Sequence, residues 1–368
     1  MTDSLLHQIA LTLLPQVGPV TAKLLASYCG SAENAFRASR RELLRIPGIG
    51  PAVADNLRTT APLLQAEKEL VFLEKHAVEA LFYTDSRYPA RLRQIADGPA
   101  LLYFKGSDTA LLGAERIVAI VGTRQPTEYG RMACEELVNG LQTYGSLVVS
   151  GLAYGIDIAA HRQATALGIA NIGVLGHGLG SIYPSHHRPV ALKMIEQGGL
   201  LSEYVHDAKP DRDHFPMRNR IIAGLCDALV VVETATSGGS MISAEFAVQY
   251  AREVFAFPGR VTDPKSAGCH LLLKTERARL LENAADLAAV MGWAESGRET
   301  ARQLALPLDL DPAETLLVDL IRQQPEIAVD ELTLAAGLPP GELAAAVLAL
   351  EFKGVVRTLP GKRYVLTG

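Results

Sequence analysis

Between Ile117 and Gly259 the chain alternates six short, almost wholly apolar runs with longer stretches whose apolar positions recur every three or four residues. Runs such as Ala228-Leu229-Val230-Val231-Val232 leave no polar face, as expected of parallel strands buried on both sides. The segments between them, Arg131 to Tyr144, Ile156 to Leu167, Pro189 to Gln197 and Met241 to Ala251, carry helical spacing. The alternation predicts an α/β fold, a doubly wound, Rossmann-like, mostly parallel sheet. Each run ends in a small or polar cluster: Gly122-Thr123-Arg124, Ser150-Gly151, Gly176-His177-Gly178, Ser202-Glu203, Glu233 and Pro258-Gly259. Ligands of such sheets bind outside the carboxyl ends of the strands, so these clusters are expected to converge on one site.

The flanks follow other periods. Residues 1–80 read as an all-α domain of short helices containing two similar segments, Leu14-Pro15-Gln16-Val17-Gly18-Pro19 and Ile46-Pro47-Gly48-Ile49-Gly50-Pro51. Each places a Gly turn before a Pro at the first helical position. The pair resembles tandem helix-hairpin-helix units of a SAM-like domain. Two readings stay open: the Gly turns offer N–H groups to DNA phosphate, or the domain only packs, Lys23 and Arg58 being its obvious basic neighbours. An extended Rossmann-like domain is expected over 81–293, with residues from about 85 to 115, including Tyr88 and Tyr103, as a connector. Residues 294–312 read as a linker. Residues 313–368 read as a winged helix, with helices at 313–323, 329–335 and 342–352 and a hairpin around Pro360-Gly361. Its recognition-helix position, Gly341 to Glu351, has no Arg, Lys, Asn or Gln with which to read bases. With Lys353, Arg357, Lys362 and Arg363 as the cations nearby, contact with protein is the stronger expectation there.

Composition narrows the class. The 368 residues are 48% hydrophobic, enough apolar material for a sizeable core and two or three domains. Four cysteines without paired spacing argue against a zinc site or a disulfide framework and fit a reducing cytoplasm. Asp3 and the lack of a basic leader argue against a secretory signal. The most apolar stretch, Ile221 to Val232, is twelve residues long and contains Asp227, too short and polar to span a bilayer. A net charge of −5 means that any polyanion site must be a local basic patch.

The strongest local signal is the turn Ser237-Gly238-Gly239-Ser240, which follows a strand and opens a helix. Free N–H groups and the helix dipole make such a turn a phosphate cradle; the alternative is a helix capped by its own serine. No P-loop string and no dinucleotide fingerprint occur, so no nucleotide cofactor is expected. Arg124 sets a planar cation at the cleft edge, suited to phosphate, unless it pairs with Glu203 or Glu233. Phe215, Arg218, Asn219 and Arg220 combine an aromatic with two guanidinium groups just before an apolar helix, which suits a single-strand contact; the alternative, commoner in general, is a buried Phe that anchors a loop. Ser150, Asp157 and His161 are rejected as a triad. Ser150 lacks the nucleophile elbow, and Asp157 and His161 sit four apart on one helix face as a structural pair. His186 and His187, adjacent and pointing differently, make no metal site.

Several segments together resemble the DNA-processing protein A (DprA or Smf) family. They are Val121-Gly122-Thr123-Arg124 with Tyr129-Gly130, Ser150-Gly151-Leu152-Ala153-Tyr154-Gly155-Ile156-Asp157 with Ala160-His161, Tyr183-Pro184, Leu201-Ser202-Glu203, Phe215-Pro216-Met217-Arg218-Asn219-Arg220-Ile221-Ile222 and Val254 to Gly259. The resemblance implies a cytoplasmic bacterial protein that binds and protects single-stranded DNA, dimerises through its Rossmann-like domain, helps load the RecA recombinase during natural transformation, and catalyses nothing. It implies phosphate contacts at the Gly122-Thr123-Arg124 and Ser150-Gly151 strand ends and at the Ser237–Ser240 turn, with Phe215, Arg218, Asn219 and Arg220 along the strand path. The chain departs from the family's usual pattern at Ser266-Ala267-Gly268-Cys269-His270. Two rival readings are a Lonely Guy-type nucleotide phosphoribohydrolase, with Glu245 as its general acid or base, and a scaffold that binds no DNA.

Overall fold

The computed structural model describes residues 2–295, 311–324, 327–353, 355–359 and 363–366. They divide into two compact units at Gly297/Arg298. The expected helical and Rossmann-like domains therefore lie in one unit. Most of the expected linker, and Pro360, Gly361 and Lys362 of the expected hairpin, fall outside the described residues.

Six helices open the chain: α1 (Thr2–Thr12), α2 (Pro19–Tyr28), α3 (Ala32–Arg37), α4 (Arg40–Leu43), α5 (Pro51–Asn56) and α6 (Ala61–His76). Local chemistry sets their ends. Gly18 and Gly50 precede Pro19 and Pro51, and Ser39 forms a capping box with Glu42. Helices this short are marginal alone. A core of Ile9, Leu25, Leu43, Val53 and Leu73 holds them, and it runs on without a break into Leu101, Tyr103, Leu175 and Leu200. The helices thus form a layer sharing its core with the sheet domain.

The sheet contains β1 (Glu79–Phe82), β2 (Leu101–Gly106), β3 (Ile117–Val121), β4 (Leu147–Ser150), β5 (Asn171–Leu175), β6 (Gly199–Ser202), β7 (Ala228–Val231), β8 (Glu253–Ala256) and β9 (Arg279–Leu280). Between them lie α7 (Ala90–Arg93), α8 (Glu128–Gln142), α9 (Ile156–Ala166), α10 (Arg188–Gln197), α11 (His214–Leu225), α12 (Gly239–Gln249) and α13 (Ala267–Lys274), with α14 (Ala284–Met291) after β9. Strand order is β1-β2-β6-β5-β4-β3-β7-β8-β9. All pairs from β6 to β9 are parallel; β1 and β2 add on antiparallel. The six apolar runs are β3 to β8, as expected. The expected connector is corrected: it supplies β2 and α7, whose Tyr, Pro and Gly neighbours hide any period.

From β3 the chain winds outward through β4, β5 and β6, then returns to the other side of β3 as β7. Val121 therefore lies beside Val231 at a topological switch point, where the crevice of a doubly wound sheet opens.

The expected pairing of Asp157 with His161 is corrected. Asp157 accepts from the N–H groups of Gly151 (3.1 Å) and Ala153 (3.3 Å), whereas His161 Nδ1 lies 2.9 Å from Asn171 Oδ1. Burial holds the pKa of His161 down to about 4, and burial also lowers those of His177 and His187. The unfolded chain, with histidine near 6.5, then binds the proton that the fold rejects. Stability is full above pH 6.5 and falls as pH drops toward 4. Denaturant unfolding at a series of pH values should show it, and His161→Gln should flatten the slope by up to about 1.4 kcal/mol per pH unit.

The second unit comprises α15 (Pro312–Gln323), β10 (Ile327–Ala328), α16 (Val329–Ala336), α17 (Pro340–Phe352), β11 (Val356–Leu359) and β12 (Arg363–Leu366), with strand order β10-β12-β11. Leu317, Ile321, Leu332, Leu343 and Leu350 form its core. This is a winged helix. Among the described residues no single helix is long and apolar enough to cross a membrane.

Candidate functional site

A cleft of about 610 Å³ opens at the β3/β7 switch point. The turn after β3 forms one wall. Thr123 N–H donates to the Glu233 carbonyl (2.6 Å), and Ile156 N–H donates to the Thr123 carbonyl (3.2 Å). Gly155, at φ +81°, makes this approach possible, because a Cβ there would sit 2.1 Å from the Thr123 oxygen.

Arg124 leaves this turn exposed, its guanidinium carbon 5.8 Å from the centre of the Phe215 ring. Both carboxylates proposed as its alternative partners are engaged elsewhere. Glu233 accepts from Thr127 N–H and Oγ1, each at 2.8 Å, and Glu203 pairs with Arg220. Among the described residues no carboxylate lies within ion-pair distance of Arg124, so its donors remain available at the cleft mouth.

The expected strand-path segment is itself the first half of α11, and helical periodicity sorts it. Phe215, Arg218, Asn219 and Ile222 share the face that lines the cleft. Arg220 falls on another face, is 2% exposed and pairs with Glu203, so its expected DNA contact is corrected to a buried ion pair. Arg218 reaches the cleft only as part of its floor, at 4% exposure. It donates to the carbonyls of Gly151 (2.6 Å) and Val174 and to Asn219 Oδ1 (3.2 Å). Burial lowers its pKa to about 10, with Asp157 working against the shift, so it stays cationic at neutral pH. Burial likewise pushes Asp157 up, opposed by Arg218.

Ser150 and Gly151 stand behind this floor. The Ser150 hydroxyl is fully buried and donates to the Ile120 carbonyl (2.6 Å); Gly151 contributes the carbonyl that holds Arg218. Neither lines the cleft, which corrects the expectation of a direct contact.

On the opposite wall the 234–240 turn leads into α12, whose Gly238 N-cap provides no side-chain hydrogen bond. The first N–H groups of an α-helix have no intrahelical acceptor, and those of α12 open on the cleft at Gly239 and Ser240, whereas Gly238 N–H donates to the Ala235 carbonyl (3.0 Å) within the turn. The Ser240 hydroxyl is spent on Thr234 Oγ1 (2.7 Å), so the self-capped alternative does not hold. Ser237 is exposed and lies off the cleft lining. The segment that departs from the family pattern forms α13 behind this turn, with Gly268 N–H donating to the Thr234 carbonyl (2.8 Å).

Two lining residues escaped the sequence reading. Arg212 adds an exposed cation, and Tyr183, 48% exposed, places its ring 6.0 Å from that of Phe215. Tyr183 belonged to a quoted motif, but nothing local put it beside Phe215. Glu245, the carboxylate assigned to a phosphoribohydrolase, is exposed, 3.8 Å from Arg277 and off the cleft. In the helical layer Lys23 is half-buried over the Tyr83 ring (6.0 Å), its pKa lowered by burial and by Arg220. Val17 of the first hairpin packs against the core that contains Leu101 and Tyr103, while Gly18 and Pro19 line a small cavity of about 160 Å³ with Leu101 and Tyr204.

A family profile described as DNA recombination-mediator protein A matches residues 79–292, a helix-hairpin-helix motif matches 9–61, and a DprA winged helix domain matches 301–362. Similar proteins include protein Smf of Synechocystis sp., 31% identical over 97% of this chain and 98% of that protein. The DNA processing protein DprA of Streptococcus pneumoniae is 40% identical over 56% of this chain and 71% of that protein. The X-ray structure of DprA from Streptococcus pneumoniae matches with a TM-score of 0.67 and 32% identity, over 77% of this chain and 97% of that one. A structure of DNA processing protein A from Helicobacter pylori, described for its single-stranded DNA binding mode, matches with a TM-score of 0.54 and 30% identity, over 59% and 97%.

Proposed function

The chain belongs to the DNA recombination-mediator protein A family, and from that premise we propose that its cleft holds single-stranded DNA without cutting it. The observation carrying the reading is Arg124, without a carboxylate partner among the described residues and set over the Phe215 ring, facing the uncapped start of α12 across the cleft. A cation, a ring face and free N–H groups suit a flexible polyanion with exposed bases. The phosphates would meet Arg124, Arg212, Thr123 and the N–H groups of Gly239 and Ser240; a base would stack at Phe215 and Tyr183. Gly122 lets the turn after β3 lie against the start of α9 at the cleft, since a Cβ there would sit 2.5 Å from the Ile156 side chain. Loading of a RecA recombinase, protection of incoming DNA in natural transformation, a cytoplasmic location and assembly as a homodimer extend the proposal from the family resemblance.

A salt-dependent titration of single against double strands tests it. Preference for single strands, with affinity falling as salt rises, is expected. Arg124→Ala should weaken binding severalfold whatever the sequence and reduce the slope of log K against log salt by about 0.7. Unchanged affinity and slope would remove Arg124 from the site. A scaffold predicts no oligonucleotide binding even at low salt, and a phosphoribohydrolase predicts free base from nucleoside monophosphates.

A further inference from the structure

The helical layer reaches the cleft through one carboxylate. Glu69, Phe72 and His76 lie three and four residues apart on α6 and so share one face. That face grips the loop after β6. Glu69 is 2% exposed, and its two oxygens accept from His206 N–H at 3.0 and 3.1 Å, while His206 Nδ1 lies 2.5 Å from Oε2. Phe72 stacks on the His206 ring, centroids 4.2 Å apart and planes 14° from parallel, and His76 lies against the other end of Phe72 at 4.3 Å.

The gripped loop in turn holds both segments that carry the aromatic edge of the cleft. The His206 and Ala208 carbonyls accept from Gly180 and Gly178 N–H, both at 2.9 Å, in the loop that leads to Tyr183. Gly178 is required there, since a Cβ would lie 2.0 Å from the Val205 carbonyl oxygen. In the other direction the chain runs through Arg212 to Phe215, and the loop is closed by Tyr204 stacked on His214, centroids 4.1 Å apart. Tyr183, Arg212 and Phe215 are thus tied to one anchor, whereas Arg124 and the 234–240 turn hang from β3 and β7.

We infer that Glu69 is a positioning residue for single-strand binding: by holding His206 it sets the aromatic edge of the cleft, so the helical layer tunes affinity without touching the strand. The inference rests on the single-strand reading of the cleft. Holding binding groups in place before a ligand arrives improves affinity by sparing it the cost of ordering them.

The experiment uses the full-length protein and an oligothymidine. In Glu69→Ala, amide exchange at Gly178 and Gly180 should accelerate while β3 and β7 stay protected, and affinity should fall about tenfold. Glu69→Gln keeps an acceptor for His206 N–H and should recover most of both, which separates positioning from misfolding. Combined with Phe215→Ala, Glu69→Ala should cost little more than Phe215→Ala alone, because the edge it positions is already gone. Faster exchange without loss of affinity, or unchanged exchange, overturns the inference. Failure of the unmodified protein to bind the oligonucleotide sinks the single-strand reading instead, and the exchange data still report whether Glu69 holds the loops.

Discussion

Arg220→Ala is expected to lower the unfolding free energy by about 3–5 kcal/mol, the cost of leaving one partner of a buried ion pair alone. The side chains of Arg220 and Glu203 are 2% and 11% exposed. Burial pushes the Glu203 carboxyl up, and Arg220 is what pulls it back toward ionisation. Among the described residues, Glu203 Oε1 and Arg220 Nη1 are buried without hydrogen-bond partners, so removing the guanidinium strands an already under-satisfied carboxylate. The double variant Arg220→Met with Glu203→Gln removes both charges and should regain much of the loss. Folded Arg220→Ala should bind single strands as the parent does. Denaturant melts beside binding isotherms measure both quantities. A variant of parental stability but weakened binding would return Arg220 to the strand path.

Phe215→Ala is expected to cost about 1–3 kcal/mol of single-strand affinity, roughly 5- to 150-fold, with little sequence preference because every base offers a π-face. The ring lies between two other cleft groups, the Arg124 guanidinium 5.8 Å and the Tyr183 ring 6.0 Å from its centre. Its loss therefore removes a stacking face and frees two neighbours. Phe215→Trp should preserve binding, and oligothymidine and oligoadenine should weaken alike with Phe215→Ala. An affinity within twofold of the parent would show that bases do not stack there.

The contrast between these residues separates what local sequence carries from what it does not. Phe215 and Arg220 stand five apart in a motif that reads as one basic-aromatic cluster. On a helix five residues amount to nearly one and a half turns, so one faces the cleft and the other the core. Had the helical period been extended back to His214, it would have sorted them. The true depth of Ser150 and Arg218 had no such signal, because both are polar residues satisfied by carbonyls from other strands, Ile120 for one and Gly151 and Val174 for the other. Arg212 and Tyr183 were missed because they come from two loops whose meeting depends on His206 and Glu69, more than a hundred residues apart in the chain. Strand β2 was missed because Leu101 to Phe104, buried throughout, is a four-residue run among prolines and glycines.

The sequence by itself determined that this is a doubly wound sheet with small and polar clusters at its strand ends. Strands buried on both faces must be apolar throughout, the helices between them must be amphipathic, and Gly and Pro must mark the turns, so the pattern is written in local composition. Only the tertiary structure decided which of those polar groups reach solvent. That depends on which face of α11 each residue occupies, on which carbonyls lie behind the cleft floor, and on how the helical layer grips the loop after β6. These are relations between distant segments, and no period of 2 or 3.6 encodes them.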